Sequence, residues 1–178
     1  TEDQVEINNA ITALPATGGE IIILDGTYNI TGKISVNKSN VSIRGNGNAT
    51  ELKRMWNSTL SNIAGVITIE EDKNHCKIEN LFINGNKEVF TSIRNYGIYV
   101  RPSSNNTITG ITCSDNAQHS LYIYSSNNNI IMGNTCKNNN NGIYLHSSNN
   151  NIVTGNIYND NSIGIYLESS SNNIITGN

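Results

Sequence analysis

Short apolar segments alternate with polar turn residues along the second half of the chain, and the alternation repeats at a fixed spacing. From Asn127 the sequence reads NNNIIMGNTCKNNNNGIYLHSS, and from Asn149, 22 residues later, it reads NNNIVTGNIYNDNSIGIYLESS. The preceding unit, SSNNTITGITCSDNAQHSLYIYSS, follows the same pattern with one residue adjusted, and the half-unit SNNIITGN ends at Asn178. The second half is therefore predicted to be a solenoid with a 22-residue repeat.

Each unit holds several segments that favour β-strands, such as IIM and GIYL, and none is long enough for a helix. A repeat of this length built from short strands predicts one coil of a parallel β-helix, with successive coils about 4.8 Å apart. In GIYL, strand alternation directs Ile and Leu inward and Tyr outward. The predicted fold is an all-β, right-handed parallel β-helix of roughly six or seven coils, its hand following the rule for parallel crossovers.

Asparagine and glycine recur at matching points of successive units, where the chain has to turn. Asn tolerates the left-handed backbone conformation of tight turns, and stacked Asn side chains can form hydrogen-bonded ladders along the solenoid. We place Asp160 in one such turn column with Asn116 and Asn138. Two further predicted columns are Asn106, Asn128, Asn150 and Asn172, and Gly110, Gly133, Gly155 and Gly177.

The first half follows the same plan less regularly and begins with a segment of helical period. Within DQVEINNAITAL, Val5, Ile7 and Ile11 fall near one face, which predicts a short amphipathic α-helix that caps the solenoid. We expect a single domain whose last coil stops in mid-repeat and needs a cover, either further chain, a partner or another copy. The predicted divisions of 1–178 are a helical cap with its turn at 1–19, irregular coils at 20–106 with inserts at about 49–65 and 86–96, and regular coils at 107–178.

The run INNAITALPATGGEIIILDGTYNITGKISVNKSNVSIRGNG resembles the start of the pectate-lyase-like (pectin-lyase-fold) domain family, with its helix, Pro-x-x-Gly-Gly turn, Gly-Thr-Tyr and strand ending Arg-Gly-x-Gly. The 22-residue units resemble the β-helix repeats of surface proteins and of the periplasmic accessory protein for nitrous oxide reductase. Together these resemblances cover nearly the whole chain and imply the same fold. They imply no single function, because the matching positions are scaffold positions and members include polysaccharide lyases, hydrolases, epimerases, phage tailspikes and adhesins.

Composition narrows the setting of the protein. Charged residues make up 14% of the chain, against about 25% in ordinary soluble domains, and the net charge of −3 provides no basic surface for nucleic acid. Asparagine accounts for 34 of 178 residues, which suits stacked turns rather than chemistry. No apolar run spans a bilayer, and any signal peptide is expected to have been removed or not to be part of this sequence. Frequent N-x-S/T triplets favour an extracellular or cell-surface protein, although such triplets also arise by chance in this composition.

Catalytic chemistry has little support in the regular coils. Polysaccharide lyases and hydrolases on this fold need clustered carboxylates, whereas the acids after residue 106 are only Asp115, Asp160 and Glu168. The resemblance therefore carries over no catalytic residue, no cofactor is expected, and Ca²⁺ is needed only if the chain is a lyase. Proton abstraction beside a uronate carboxylate could use four side chains on neighbouring coils, provided that they converge: a cation, an acid, a His and a Tyr. They are Arg101, Asp115, His119 and Tyr96.

The most informative surface feature is a column of tyrosines at the outward position of successive strands. Stacked aromatic rings form a flat stripe that suits sugar rings or a neighbouring subunit, although good β propensity alone also places Tyr there. A second outward column lies two residues further along each strand. The tyrosines are Tyr99, Tyr122, Tyr144 and Tyr166, and the second column is Arg101, Tyr124, His146 and Glu168.

Two other features carry weaker predictions. The inserts and the segment EEDKNHC, with Glu70, Glu71 and His75, concentrate charge on loops, where function often lies, although solvated polar loops have the same composition. Cys113 and Cys136 occupy the same position of adjacent units, so we expect two buried free thiols. We expect no metal site there because no further ligands accompany them.

Three functions remain open at this point. The regular coils and sparse acids favour a secreted or cell-surface module with a structural, adhesive or assembly role, whose partners are a polysaccharide or glycan or copies of itself. A polysaccharide-processing enzyme, a uronan lyase or epimerase, requires the four catalytic candidates or the inserts to converge. The third reading is a fragment of a larger β-helix protein.

Overall fold

The computed structural model describes residues 2–178, which form a right-handed parallel β-helix preceded by one short helix, as the sequence predicts. Helix α1 spans Gln4–Ala13 and buries Ile7 and Ile11 against the first coil. The buried face is rotated from the predicted one, because Val5 is exposed and Gln4 is buried instead, exchanging hydrogen bonds with Thr31. Among the described residues no helix has the length and apolar character needed to cross a membrane.

Seventeen strands follow α1 within the described residues, and every pairing between them is parallel. The strands are β1 (Gly19–Ile22), β2 (Gly26–Ile30), β3 (Ile34–Val36), β4 (Val41–Arg54), β5 (Ala64–Ile69), β6 (Lys77–Asn84), β7 (Asn95–Val100), β8 (Thr107–Thr109), β9 (Thr112–Ser114), β10 (His119–Tyr124), β11 (Ile130–Met132), β12 (Thr135–Lys137), β13 (Asn141–His146), β14 (Ile152–Thr154), β15 (Ile157–Asn159), β16 (Ile163–Glu168) and β17 (Ile174–Thr176).

The strands form two sheets that wrap around one apolar core. The larger sheet has eleven strands and folds around a corner, because β6 pairs with β8 before the corner and with β9 after it. In later coils a left-handed glycine marks this corner between two short strands, as at Gly110 (φ 64°) and Gly133 (φ 64°). The smaller sheet has the order β16–β13–β10–β7–β5–β3, and its outer face carries the tyrosine column.

The register corrects two of the predicted turn columns by one residue. The residues with positive φ that precede β8, β11, β14 and β17 are Asn105, Asn128, Asn150 and Asn172, so Asn105 and not Asn106 belongs to that column. In the turn after β9, Asp115 and not Asn116 matches Asn138 and Asp160. The cause is one extra residue in that turn, which takes four steps from Asp115 to His119 but three from Asn138 to Asn141.

Buried asparagine ladders connect the coils, and each ladder residue directly follows a left-handed turn residue. In one ladder the Asn151 Oδ1 accepts hydrogen bonds from the backbone N–H and the Nδ2 of Asn129, and the Asn151 Nδ2 donates to Asn173. The ladders are thus formed by the residue after the turn asparagine, since a left-handed residue at the corner turns the following side chain into the core. Equivalent ladders run through Asn134, Asn156 and Asn178, and through Asn116, Asn139 and Asn161.

Candidate functional site

The outer face of the smaller sheet carries a continuous stack of four tyrosine rings, here called the tyrosine stripe: Tyr99, Tyr122, Tyr144 and Tyr166. Parallel register places each ring on the next, with centroids 5.1, 4.9 and 5.0 Å apart and interplanar angles of 6°, 11° and 22°. Offset-stacked rings at these separations are favourable aromatic pairs. The repeat therefore builds a continuous aromatic column from residues that lie 22 or 23 positions apart in the sequence, and the faces of neighbouring rings are turned towards each other.

Polar groups border the stripe and bind the tyrosine hydroxyls. The Tyr122 hydroxyl lies 3.2 Å from His146 Nδ1, and the Tyr144 hydroxyl donates to the Glu168 carboxylate. Tyr124 packs edge-on against His146, with ring centroids 5.3 Å apart. Burial raises the pKa of the Tyr122 and Tyr144 hydroxyls above the usual tyrosine range, so both remain protonated at neutral pH. The second outward column thus supplies hydrogen-bonding groups along one side of the aromatic surface.

A second aromatic pair lies beside the stripe, at the start of the same strands. Tyr96 stacks on His119 with centroids 5.2 Å apart, and Tyr144 meets the His119 ring edge-on at 4.9 Å. Burial lowers the pKa of His119 to about 3, so the imidazole is neutral at physiological pH. Its Nδ1 finds no hydrogen-bond partner among residues 2–178.

At the Tyr99 end of the stripe lies a cavity of about 200 Å³, here called the end pocket, lined by Lys33, residues 60–63, Tyr99 and Arg101. Lys33 and Arg101 both form ion pairs with Glu70, the latter at 3.3 Å. Burial by itself would raise the pKa of Glu70. Hydrogen bonds from Lys33 and Ser35 and the positive charges of Lys33 and Arg101 together outweigh burial, so the pKa of Glu70 lies below its usual range. A carboxylate held by two of the pocket's lining residues therefore lies beside the pocket.

The two inserts contact each other around a buried arginine. The Arg54 guanidinium donates to Asn95 Oδ1 at 3.2 Å and to the Tyr96 carbonyl at 2.7 Å, and it lies 3.9 Å from the centroid of the Trp56 ring. Asn95 Nδ2 in turn donates to Asn57 Oδ1 in the first insert. Burial lowers the pKa of Arg54 to about 9, which still leaves it charged at neutral pH. This arginine fixes the insert that supplies residues 60–63 to the end pocket.

The structure divides the four catalytic candidates between different surroundings. Tyr96 and His119 lie together as a stacked pair, whereas Arg101 is bound to Glu70 at the end pocket. Asp115 is a left-handed turn residue whose carboxylate accepts hydrogen bonds within the turn column. No hydrogen bond joins one of the four side chains to another within residues 2–178. As catalytic residues they stay predictions.

The sequence patterns did not single out Lys33, its ion pair with Glu70, or the contribution of residues 60–63 to a pocket. The segment EEDKNHC did indicate charge near Glu70. The break in the repeat at 49–65 did indicate a loop, but its predicted start was wrong, because residues 49–54 belong to β4 and the loop begins after Arg54. Neither signal showed that the loop and Lys33 meet at one end of the tyrosine stripe.

The model of a protein family described as "Periplasmic copper-binding protein (NosD)" matches residues 7–178. No curated protein matches the sequence significantly.

Several solved structures share the fold. They include ORF18 of Geobacillus virus E2 (20% identity, TM-score 0.71, covering 96% of this chain and 45% of that chain). The A-module of the mannuronan C-5 epimerase AlgE4 from Azotobacter vinelandii aligns at 17% identity with a TM-score of 0.72, over 97% of this chain and 55% of that one. The catalytic domain of a GH87 α-1,3-glucanase in complex with nigerose aligns at 19% identity with a TM-score of 0.76, covering 94% of this chain and 31% of that one. The chain thus spans about half the length of the first two structures, and these likenesses show the fold alone.

The side chains present do not fit a copper centre of the kind that the family description names. Within the described residues, no three His, Cys, Asp or Glu side chains lie close enough to share a metal ion. Cys113 and Cys136 are paired in register, buried and free, as the sequence predicts. Burial raises the pKa of both thiols, that of Cys136 to about 12, whereas copper binds thiolates. No role for copper is derived for these residues.

Proposed function

The chain belongs to the NosD family of right-handed β-helix proteins, and from this premise we propose that it is a saccharide-binding module acting outside the cytoplasm, with its ligand on the tyrosine stripe. The observation that carries the proposal is the unbroken stack of four rings at 4.9–5.1 Å, which is buried at Tyr99 (8% exposed), open at Tyr166 (39% exposed) and bordered by hydrogen-bonding groups. The family's periplasmic description supports the location.

The stripe combines the two features that a sugar ring requires. A pyranose presents an apolar face of C–H groups and a rim of hydroxyl groups, so it packs on a flat aromatic surface while donors and acceptors satisfy the rim. The four rings supply an aromatic surface of ring edges and of the parts of the faces that the offset stacking leaves uncovered. His146 and Glu168 supply the polar border on one side. Structural neighbours that act on mannuronan or bind nigerose lend further support to a carbohydrate ligand.

The test is a calorimetric titration of nigerose oligomers and mannuronan oligomers into the wild-type chain and into Tyr122→Leu and Tyr144→Leu. Leucine keeps a strand-compatible apolar side chain but removes the ring, so each variant should lose a stacking contact worth about 0.5–1.5 kcal/mol, or roughly 2- to 12-fold in Kd. The matched control is Ile152→Thr, an exposed outward residue on β14 of the other sheet, which should bind as the wild type does.

The alternative functions give different results in the same samples. If the tyrosine variants bind saccharide as well as the wild type does, the proposal is wrong. If the wild-type chain instead self-associates in sedimentation velocity and Tyr122→Leu abolishes the association, the stripe is an interface between copies. New reducing ends or unsaturated uronates after incubation would indicate a polysaccharide-processing enzyme acting near Tyr96 and His119.

A further inference from the structure

The tyrosine stripe is closed at one end by its own sequence. The outward position occupied by tyrosine in four coils is held by Thr68 and Ser35 in the two coils before Tyr99. These small side chains lower the surface by the depth of a ring, so the flat stripe ends in a depression. Thr68 is fully buried and Tyr99 is 8% exposed, whereas Tyr166 is 39% exposed. Something therefore covers the Tyr99 end.

The cover is the first insert. Residues 60–63, together with Lys33, Tyr99 and Arg101, line the partly open end pocket of about 200 Å³. Pockets for drug-sized ligands have volumes of roughly 300–1,000 Å³, so this one matches a group of the size of a single sugar unit. Arg54 and Asn95 hold the base of the insert through buried hydrogen bonds, and Leu60 at its tip is exposed.

The chemistry inside the end pocket suits hydroxyl groups. Lys33 and Arg101 are donors, and Glu70 between them is an acceptor held in place by both cations and by the Ser35 hydroxyl. Vicinal hydroxyl groups of a sugar both donate and accept, so a guanidinium and a carboxylate 3.3 Å apart can bind the two at once. Along the open part of the stripe, the polar border consists mainly of Tyr124, His146 and Glu168.

We propose that the site recognises the end of a saccharide chain: a terminal sugar occupies the end pocket, and the following units extend over Tyr122 and Tyr144. This inference rests on the proposed saccharide-binding function and adds the mode of binding. A chain bound through an internal segment would have to continue past Tyr99 in both directions, and in one of them it would meet the insert residues 60–63 that line the pocket.

The experiment compares oligosaccharides that differ only at their ends. Nigero- and mannuronan oligomers of two to eight units are titrated in three forms: intact, reduced to the alditol, and blocked at the non-reducing end by a bulky substituent. The variant is Arg101→Gln, which removes a cation of the end pocket, and the matched control is Arg94→Gln, an arginine of the second insert that does not line the pocket. Tyr122→Leu is measured in parallel as the test of the stripe itself.

End recognition predicts that modifying one of the two termini weakens binding at least tenfold, while modifying the other leaves it unchanged. Arg101→Gln should weaken binding of the intact oligomers about as much and should abolish the difference between intact and modified forms, whereas Arg94→Gln should change neither. Equal affinity for all three forms, with Tyr122→Leu still weakening binding, overturns end recognition and leaves the saccharide-binding proposal standing. Absence of an effect in Tyr122→Leu overturns both.

Discussion

Replacing Asn151 with alanine tests the asparagine ladder that holds the regular coils in register. Asn151 is fully buried, and its Oδ1 accepts from the Asn129 backbone N–H at 2.8 Å and from the Asn129 Nδ2 at 2.9 Å. Its own Nδ2 donates to Asn173 Oδ1 at 3.1 Å and to the Ser126 carbonyl at 3.1 Å. Alanine removes all of these bonds and leaves the two Asn129 donors in the interior without an acceptor.

The magnitude follows from those two donors. A buried donor left without a partner costs about 1–3 kcal/mol, so Asn151→Ala should lower the free energy of unfolding by about 2–6 kcal/mol. At the middle of that range, about 4 kcal/mol, Tm should fall by roughly 8–16 °C for a domain of this size.

The assay is urea unfolding at pH 7 followed by far-ultraviolet circular dichroism, together with a thermal scan. Asn159→Ala is the control, because Asn159 is exposed and its side chain forms no hydrogen bond within the described residues; it should change stability by less than about 0.5 kcal/mol. Asn151→Leu restores the lost volume without the hydrogen bonds and should remain destabilised.

Two results would refute the reasoning. If Asn151→Ala and Asn159→Ala lose the same small amount, the ladder contributes nothing beyond the burial of its atoms. If Asn151→Leu is as stable as the wild type, the loss in the alanine variant comes from a cavity and not from orphaned donors. A change in the urea m-value would further show that the coils no longer unfold together.

Three further predictions concern the interior. Gly97→Ala should destabilise by about 1–3 kcal/mol in urea unfolding, because its Cβ would lie 2.2 Å from Cys113 Sγ, whereas Gly32→Ala, with its nearest neighbour at 3.8 Å, should be neutral. The pKa of His119 is lowered in the folded protein, so on acidification the unfolded chain is protonated first and the free energy of unfolding should fall as pH drops from about 6.5 towards 3. His119→Phe should remove about 1.4 kcal/mol of that loss per pH unit. An unchanged pH profile in this variant would contradict the burial argument. Cys113 and Cys136 should resist alkylation in the native protein and react only after unfolding, as judged by mass spectrometry, since burial raises the pKa of both thiols.

The repeat in the sequence is sufficient to predict the periodic half of the molecule. In a solenoid, each residue's neighbour in space is the residue one repeat away, so the spacing of Tyr122 and Tyr144 already predicts that their rings stack, and that of Cys113 and Cys136 already predicts paired buried thiols. The alternation of apolar and polar residues likewise assigns the inward and outward positions without knowledge of the coordinates.

The register was predictable only to within one residue where the turns differ in length. The sequence DNAQH after β9 replaces the NNNN of the next coil, and a run of identical asparagines does not reveal where the additional residue lies. The same ambiguity explains why the ladder was assigned to Asn128 and its equivalents rather than to Asn129, because both positions are asparagine and only the backbone conformation distinguishes them.

The tertiary structure alone decided how the irregular segments meet. The inserts have no repeat that assigns them a neighbour, so only their packing around Arg54 and Asn95 shows that they lie together. The same holds for the end pocket, where Lys33 and Arg101 come from different coils, are joined through Glu70, and line one pocket with residues 60–63. A periodic pattern specifies contacts one repeat apart, whereas contacts made by loops depend on loop length, burial and side-chain hydrogen bonds that exist only once the whole chain has folded.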